Sequence, residues 1–137
     1  MKLSEAMKIS SELKNVKLVS AEILESLLPF NIASHDLLDI RLCLEEALIN
    51  AIKYGNKLQP DLSIEITYSI ENSILKITVL DQGKGFDHKN LPDPTLEENL
   101  QELKGRGVYL IRRLMDEVIF NEVGNQITMM KNLKKGD

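Results

Sequence analysis

Apolar residues near the start of the chain recur with the spacing of one helix face. The pattern runs from Ser11 to Leu28, and its members are Leu13, Val16, Val19, Ala21, Ile23, Leu24 and Leu27. This period predicts a first helix over residues 11–28, with Ser10 or Ser11 placed to cap its start. Pro29 ends the pattern, because proline cannot continue a helical hydrogen-bond ladder.

A second and longer helix is predicted from about His35 to Tyr54. Ser34 and Asp36 are typical of a helix start, where side-chain oxygens accept backbone N–H bonds and a negative charge suits the helix dipole. Gly55 and Asn56 follow the last helical position and are typical of a helix end.

Two runs of alternating apolar and polar residues predict a pair of strands. In the run from Ser63 to Ile70, the apolar side consists of Ile64, Ile66, Tyr68 and Ile70. Glu71-Asn72 is the predicted turn, and the second run places Leu75, Ile77 and Val79 on one face. Asp81 shares that face by strand alternation, so its carboxylate points toward the covered side of the sheet.

The segment from Asp81 to Arg106 is predicted to be a long loop. It is rich in glycine, proline and polar residues, and long loops within compact domains are usually functional. A short helix should follow it, since apolar residues recur at Val108, Leu110, Ile111, Leu114 and Met115. Residues Val118 to Glu122 and Gln126 to Asn132 then predict a hairpin about Gly124-Asn125.

This order of elements predicts an α+β fold rather than alternating βαβ units. We expect a two-layer sandwich, with helices on one face of a mixed, mostly antiparallel sheet. A length of 137 residues fits one domain, so residues 1–137 are expected to form a single unit.

Composition narrows the classes of partner. A net charge of -4 provides no general attraction to nucleic acid, and no apolar run approaches the roughly 20 residues that cross a bilayer. The charged first residues differ from a signal peptide, and the single cysteine, Cys43, cannot form an internal disulfide. We therefore expect a cytoplasmic protein that binds neither nucleic acid nor membrane.

The second helix carries two polar stripes. Arg41 and Glu45 form an ordinary solvent face, whereas Glu46, Asn50 and Lys53 fall within an arc of roughly 60° elsewhere on the helix. A carboxylate and an amide oxygen placed side by side suit a hydrated magnesium ion and a hydroxyl that must lose its proton. The alternative is that both side chains simply reach solvent, and the helix alone does not decide between these interpretations.

Two glycine-containing motifs are candidate ligand sites. In Asp81-Gln82-Gly83-Lys84-Gly85-Phe86, glycines admit a ligand close to the backbone, and Asp81 offers an acceptor to an amino group such as that of adenine. Gly105-Arg106-Gly107-Val108 opens the predicted third helix, whose first N–H groups suit phosphates. A tight turn and a flexible hinge, respectively, are the alternatives when each motif is taken singly.

Together the three motifs resemble the N, G1 and G2 boxes of the GHKL ATPases. The sequences are EALINA at residues 46–51, DQGKGFD at 81–87 and GRGVYLI at 105–111. Within that superfamily they look most like the anti-sigma-factor serine/threonine kinases of the RsbW and SpoIIAB type, as do residues 91–100, 114–118 and 127–131. The resemblance covers nearly the whole chain from Met7 onward and implies an ATP lid at about residues 87–106.

The resemblance also implies a role for each site residue. Glu46 would be the general base, Asn50 would bind Mg²⁺ between the phosphates of ATP, and Asp81 would recognise the adenine amino group. The remaining nucleotide contacts would be Lys53, Tyr54, Gly83, Gly85, Phe86, Gly105, Arg106, Gly107 and Val108. Tyr54 stands where many members of the group have histidine, and Lys53 is a cation that its closer members often lack.

The implied function is regulation of transcription by an ATP- and Mg²⁺-dependent protein kinase. Such a protein would sequester a sigma factor and phosphorylate a serine or threonine of a STAS-type antagonist protein, and family members usually form homodimers. The alternative is an ATP-gated binding module without significant kinase activity, for which Glu46 would be dispensable. A domain that binds no nucleotide is the third possibility.

Overall fold

The computed structural model describes residues 2–83 and 103–136. In chain order its elements are β1 (Leu3–Ser10), α1 (Lys14–Ser26), α2 (Ser34–Asn50), β2 (Ser63–Glu71), β3 (Ile74–Leu80), α3 (Leu103–Leu114), β4 (Glu117–Phe120) and β5 (Gln126–Asn132). A 3-10 turn at Leu28–Phe30 follows α1, and a π-helical turn at Ala51–Gly55 continues α2.

The strands form one sheet in the order β1-β2-β3-β5-β4. Each of its strand pairs is antiparallel, with Ile66 opposite Val79 and Thr78 opposite Thr128 in the central pairs. The predicted α+β class is confirmed. The sheet is fully antiparallel across the described strands, without the mixed character that we expected.

The helices cover one face of this sheet. Alternate residues of the inner strands are buried against them, namely Ile64, Ile66, Tyr68, Ile70, Leu75, Ile77, Val79, Ile127 and Met129. Helix α2 supplies the centre of the opposing layer through Ile40, Leu44 and Leu48, each with no exposed surface. Because burial of apolar surface is the main force that drives folding, this layer fixes the position of α2 above the strands.

Strand β1 was not predicted, and the first helix spans Lys14–Ser26 rather than the predicted residues 11–28. The eight residues of β1 pair with β2, but only half-buried side chains mark its inner face, so an edge strand here has no continuous apolar alternation. The predicted serine cap is wrong. Ser10 belongs to β1, and the Ser11 hydroxyl donates to the Leu62 carbonyl at 2.7 Å, while Leu13 occupies the N-cap position without a capping side chain.

The second helix has the predicted extent, but its two ends differ from expectation. Ala33 is the N-cap, and no side chain caps it. At the other end, the buried Asn56 side chain donates from Nδ2 to Ser11 Oγ at 2.7 Å and to the Ser63 carbonyl at 2.9 Å. Its Oδ1 accepts the Gln82 N–H at 2.7 Å, so one amide joins the end of α2 to the loop after β3.

A buried lysine joins the helix layer to strand β5. Lys131 is only 6% exposed, and its Nζ donates to the Leu114 carbonyl at 2.8 Å. The same Nζ lies 3.6 Å from Asp39 Oδ2 and 3.9 Å from Asp36 Oδ1. Since Asp36 and Asp39 lie in the first turns of α2 and Leu114 ends α3, these helices run antiparallel to each other.

Replacing Lys131 by Met should destabilise the fold by about 2 kcal/mol, because Asp36 would remain buried without its cation. Urea denaturation followed by circular dichroism would measure the change. Lys2→Met is the control, because the pair between Lys2 and Glu71 is exposed and worth little. Equal midpoints for the two variants would contradict the importance of the buried cation.

Cys43 should be chemically inert in the folded protein. Its side chain is 1% exposed, and burial, reinforced by the charge of Asp39, raises the pKa of its thiol to about 12. The reactive thiolate is therefore scarce at pH 8. We expect a thiol-reactive disulfide reagent to label the native chain far more slowly than the chain unfolded in guanidinium. Rapid stoichiometric labelling without denaturant would contradict this burial.

Candidate functional site

The polar pair on α2 lies where α3 crosses it. A Cβ added to Gly107 would lie 2.6 Å from Oε2 of Glu46 and 3.2 Å from Nδ2 of Asn50. Glycine at this position lets α3 approach both side chains closely, and a larger residue would have to displace the Glu46 carboxylate. The structure places Glu46 and Asn50 side by side and next to the motif that opens with Gly105.

Asp81 lies at the end of β3 against two glycines. A Cβ on Gly55 would overlap the Asp81 carboxyl group, and a Cβ on Gly83 would overlap the Gly55 carbonyl. The Gly83 N–H donates to Asp81 Oδ1 at 2.7 Å. The backbone N–H of Asp81 donates to the Asn125 carbonyl at 3.0 Å. These contacts hold the carboxylate between the end of α2 and the loop before β5.

Asn50 and Asp81 line the same cavity, although 31 positions separate them in the chain. The space between its walls, counted together with the part open to solvent, is about 360 Å³. The other lining residues are mostly small or apolar, namely Ala47, Ala51, Val79, Val108, Phe120, Gly124, Asn125, Gln126 and Ile127. The carboxylate at one side of this mostly apolar cavity offers a hydrogen-bond acceptor to an amino group, such as one on a heteroaromatic ring.

A larger cleft opens between α2 and α3, with about 1240 Å³ of space when its solvent-open part is counted. Its lining residues are Glu46, Ile49, Asn50, Lys53, Tyr54, Gly107, Tyr109, Leu110, Arg113 and Leu114. Asn50 belongs to the walls of both the cavity and the cleft. The amide therefore stands at their junction, between the ring-shaped cavity and the Glu46 carboxylate.

The sequence of the chain matches a known protein family. The model of the histidine kinase-like ATPase domain matches residues 9–131, a range that contains the residues lining the cavity and the cleft. The chain belongs to the histidine kinase-like ATPase family. The resemblance that the three motifs predicted is thereby confirmed.

Curated relatives within this family are named as protein kinases. The chain is 34% identical over 108 residues to the serine-protein kinase RsbW of Staphylococcus epidermidis. The aligned segment covers 73% of this chain and 68% of that protein. The chain is 33% identical, with the same coverage, to the serine-protein kinase RsbW of Staphylococcus aureus strain bovine RF122 / ET3-1. The similarity to kinases of the RsbW type that the sequence predicted is thus confirmed.

The third ATPase motif lies in the first turns of helix α3. Helix α3 begins at Leu103, so Gly105-Arg106-Gly107-Val108 lies within its first two turns. Gly107 contributes the close helix crossing, and Val108 lines the cavity.

The remaining predicted nucleotide contacts lie in the cleft, in α3 or outside the described residues. Lys53 and Tyr54 line the cleft rather than the cavity, with Nζ of Lys53 5.7 Å from the Tyr54 ring centroid. Gly85 and Phe86 lie outside the described residues, as does most of the predicted ATP lid. The backbone of Gly105 and Arg106 belongs to helix α3.

Sequence reasoning missed the residues that support the site. Asn56 was assigned only to a helix end, yet it binds the loop that carries Gln82. Asn125 was assigned to a hairpin turn, but its Nδ2 donates to the Gly83 carbonyl at 3.3 Å. Gly55 was assigned to helix termination, and its missing side chain makes room for Asp81. The recurrence of Asn and Gly at both turns was the available signal.

The two adjacent glutamates of α2 have different surroundings. Glu45 pairs with Lys17 at 2.9 Å on the other polar stripe. Burial alone would raise the pKa of Glu45, but side-chain hydrogen bonds, led by that from Lys17, and the charges of Lys17 and Arg41 lower it below its usual value. Glu45 thus belongs to an ion pair with Lys17, whereas Glu46 lines the cleft.

The described residues would hold Mg²⁺ only together with a nucleotide, whose phosphates would supply further ligands. No group of three or more His, Cys, Asp or Glu residues is arranged for a metal within the described part of the chain. An amide oxygen such as that of Asn50 is a hard ligand that suits Mg²⁺ when phosphates and water supply the remaining positions. Among the described helices, none is long and apolar enough to cross a membrane.

Gly55→Ala should displace Asp81 without unfolding the chain, because the new methyl group would occupy the space of its carboxyl group. We expect ATP affinity to fall by about tenfold or more, the value of one lost hydrogen bond. Gly136→Ala is the control, since Gly136 lies beside Asn31 and outside the cavity lining. Calorimetric titration would compare the variants, and unchanged affinity in Gly55→Ala would exclude this role of Gly55.

Proposed function

We propose that the chain is an ATP-dependent protein kinase that phosphorylates a serine or threonine of a small antagonist protein. The observation that carries the proposal is the position of Asn50 between the Asp81 cavity and the cleft that Glu46 lines. Adenine, the phosphates and the acceptor hydroxyl follow one another in the same order in a kinase complex. The kinase names of the relatives support the same reaction.

The Asp81 cavity is the proposed adenine site. Its carboxylate would accept a hydrogen bond from the adenine amino group, and Ala47, Ala51 and Val79 would contact the ring faces. Gly83 N–H already binds one carboxylate oxygen and holds it in place. Guanine carries a carbonyl at the corresponding position, so this acceptor should discriminate against GTP.

The junction between cavity and cleft is the proposed phosphate site. Asn50 would bind Mg²⁺, which neutralises the phosphate charge when it is present. Lys53 lies one helical turn beyond Asn50 and would contribute a positive charge to the same region. The free N–H groups at the start of α3 would complete the phosphate contacts.

Glu46 is the proposed general base. It would take the proton of the acceptor hydroxyl as that oxygen forms a bond to the γ-phosphorus. The bond between the γ-phosphorus and the bridging oxygen of the β-phosphate breaks, and ADP leaves. As in phosphoryl transfer generally, the protein contributes mainly positioning and charge neutralisation.

The proposed partners follow from the resemblance to anti-sigma-factor kinases. The chain would sequester a sigma factor in the cytoplasm as a homodimer, and phosphorylation of a STAS-type antagonist would prevent that antagonist from displacing sigma. The names of the relatives support a serine acceptor. These regulatory steps require the same ATP site.

A transfer assay tests the proposal. The purified full chain would be incubated with Mg²⁺, γ-labelled ATP and candidate STAS-type antagonist proteins, followed by electrophoresis and identification of the labelled residue. Transfer to a serine or threonine is the expected result. Tight ATP binding with no labelled acceptor, in this set and in extract of the source cells, would instead indicate an ATP-gated binding module.

A further inference from the structure

The cleft between α2 and α3 extends to both sides of Glu46. Because these helices are antiparallel, residues later in α3 lie beside earlier turns of α2. Gly107 contacts Glu46 and Asn50, whereas Leu114 at the end of α3 is joined through Lys131 to Asp39 near the start of α2. The far end of the cleft therefore lies on the opposite side of Glu46 from Asn50.

Arg113 occupies that far end. It follows Gly107 by six residues, a separation of about 9 Å along the α3 axis. It lines the cleft with Glu46 but is not part of the lining of the adenine cavity. Lys53, in contrast, lies beyond Asn50 on the phosphate side. The two cations thus belong to different ends of the cleft.

The guanidinium of Arg113 is available to a ligand. It is exposed, and its Nη1 donates to the hydroxyl of Tyr109 at 3.3 Å, with Cζ 5.8 Å from the centroid of that ring. No ion pair joins Arg113 to a carboxylate anywhere in residues 2–83 and 103–136. Arginine has several N–H donors in a planar fork, and carboxylates bind it in a bidentate manner.

Apolar surface borders this charge. Leu110 precedes Arg113 by one helical turn and lines the cleft together with Leu114, and Leu42, which is 39% exposed, lies one turn before Glu46 on α2. Apolar contact area around a specific arginine is typical of a protein-binding surface. A free nucleotide would not require such walls at this distance from the phosphate site.

We propose that this end of the cleft docks the acceptor protein, and that Arg113 binds a carboxylate located near the phosphorylated serine or threonine. The inference rests on the proposed kinase function and specifies which acceptors the site selects. Charge complementarity between Arg113 and an acidic acceptor segment places the hydroxyl between Glu46 and the γ-phosphate. Arg113 is accordingly a positioning and specificity residue.

The test compares Arg113→Gln, Arg113→Lys and the wild type in the transfer assay with one purified STAS-type antagonist. Arg113→Gln should raise KM for the acceptor about tenfold, the effect of one lost charge-assisted hydrogen bond, with kcat and ATP affinity nearly unchanged. Arg113→Lys should recover part of the loss. Arg41→Gln is the control, since Arg41 is an exposed cation on the other stripe of α2.

A charge exchange identifies the carboxylate. Each Asp or Glu near the acceptor serine would be changed to Lys, and one such acceptor should be phosphorylated better by Arg113→Glu than by the wild type. A KM equal to that of the Arg41→Gln control, or a loss confined to ATP affinity, would overturn the docking role and leave the kinase proposal intact. Absence of transfer by the wild-type chain would remove the kinase proposal and this inference together.

Discussion

Glu46→Gln is expected to reduce phosphoryl transfer by about a hundredfold to ten-thousandfold, the usual contribution of a general base. The amide keeps the shape of the side chain but cannot take the proton of the acceptor hydroxyl. Because Glu46 lines the cleft rather than the proposed adenine cavity, ATP affinity should remain close to that of the wild type. Single-turnover transfer and calorimetric titration would separate these effects.

Glu45→Gln provides the matched control for this prediction. It is the same chemical change at the adjacent position, but Glu45 faces Lys17 on the other polar stripe. It should leave transfer unaffected. If Glu46→Gln transfers phosphate at the wild-type rate, Glu46 is not the base, and the ATP-gated binding module becomes the better account.

Asp81→Asn should weaken ATP binding by about 2 kcal/mol, or roughly thirtyfold, because a charged hydrogen-bond acceptor is lost inside a narrow cavity. The preference for ATP over GTP should fall with it. Competition titrations with both nucleotides would measure each effect.

Asp61→Asn is the control for Asp81→Asn, since Asp61 is exposed and lies in the segment before β2. Its affinity should match that of the wild type. Retention of full affinity and of ATP selectivity by Asp81→Asn would place the adenine ring elsewhere in the protein.

The central part of the fold was predictable from local patterns. Strands β2 and β3 alternate strictly because one face of each packs on the helices, and that alternation also placed Asp81 on the covered face. Strand β1 escaped prediction because it lies at the sheet edge, where its pairing with β2 depends on backbone hydrogen bonds more than on side-chain pattern.

The site was predictable where helical geometry was sufficient. Glu46 and Asn50 stand one turn apart on α2, and their nearness follows from sequence spacing alone. The crossing at Gly107 and the fit of Gly55 to Asp81 depend on how elements pack, so single-chain patterns did not reveal them. Arg113 escaped notice for the same reason, since only the antiparallel pairing of α2 and α3 brings it into the cleft with Glu46.

Equilibrium dialysis of labelled ATP with Mg²⁺ is the measurement that most directly tests whether Asn50 and Asp81 form one nucleotide site. The wild-type chain should bind a single ATP, and both Asn50→Ala and Asp81→Asn should bind it much more weakly. Circular dichroism would verify that the variants remain folded. A folded wild-type chain that binds no ATP, or variants that bind it as well as the wild type does, would contradict the account.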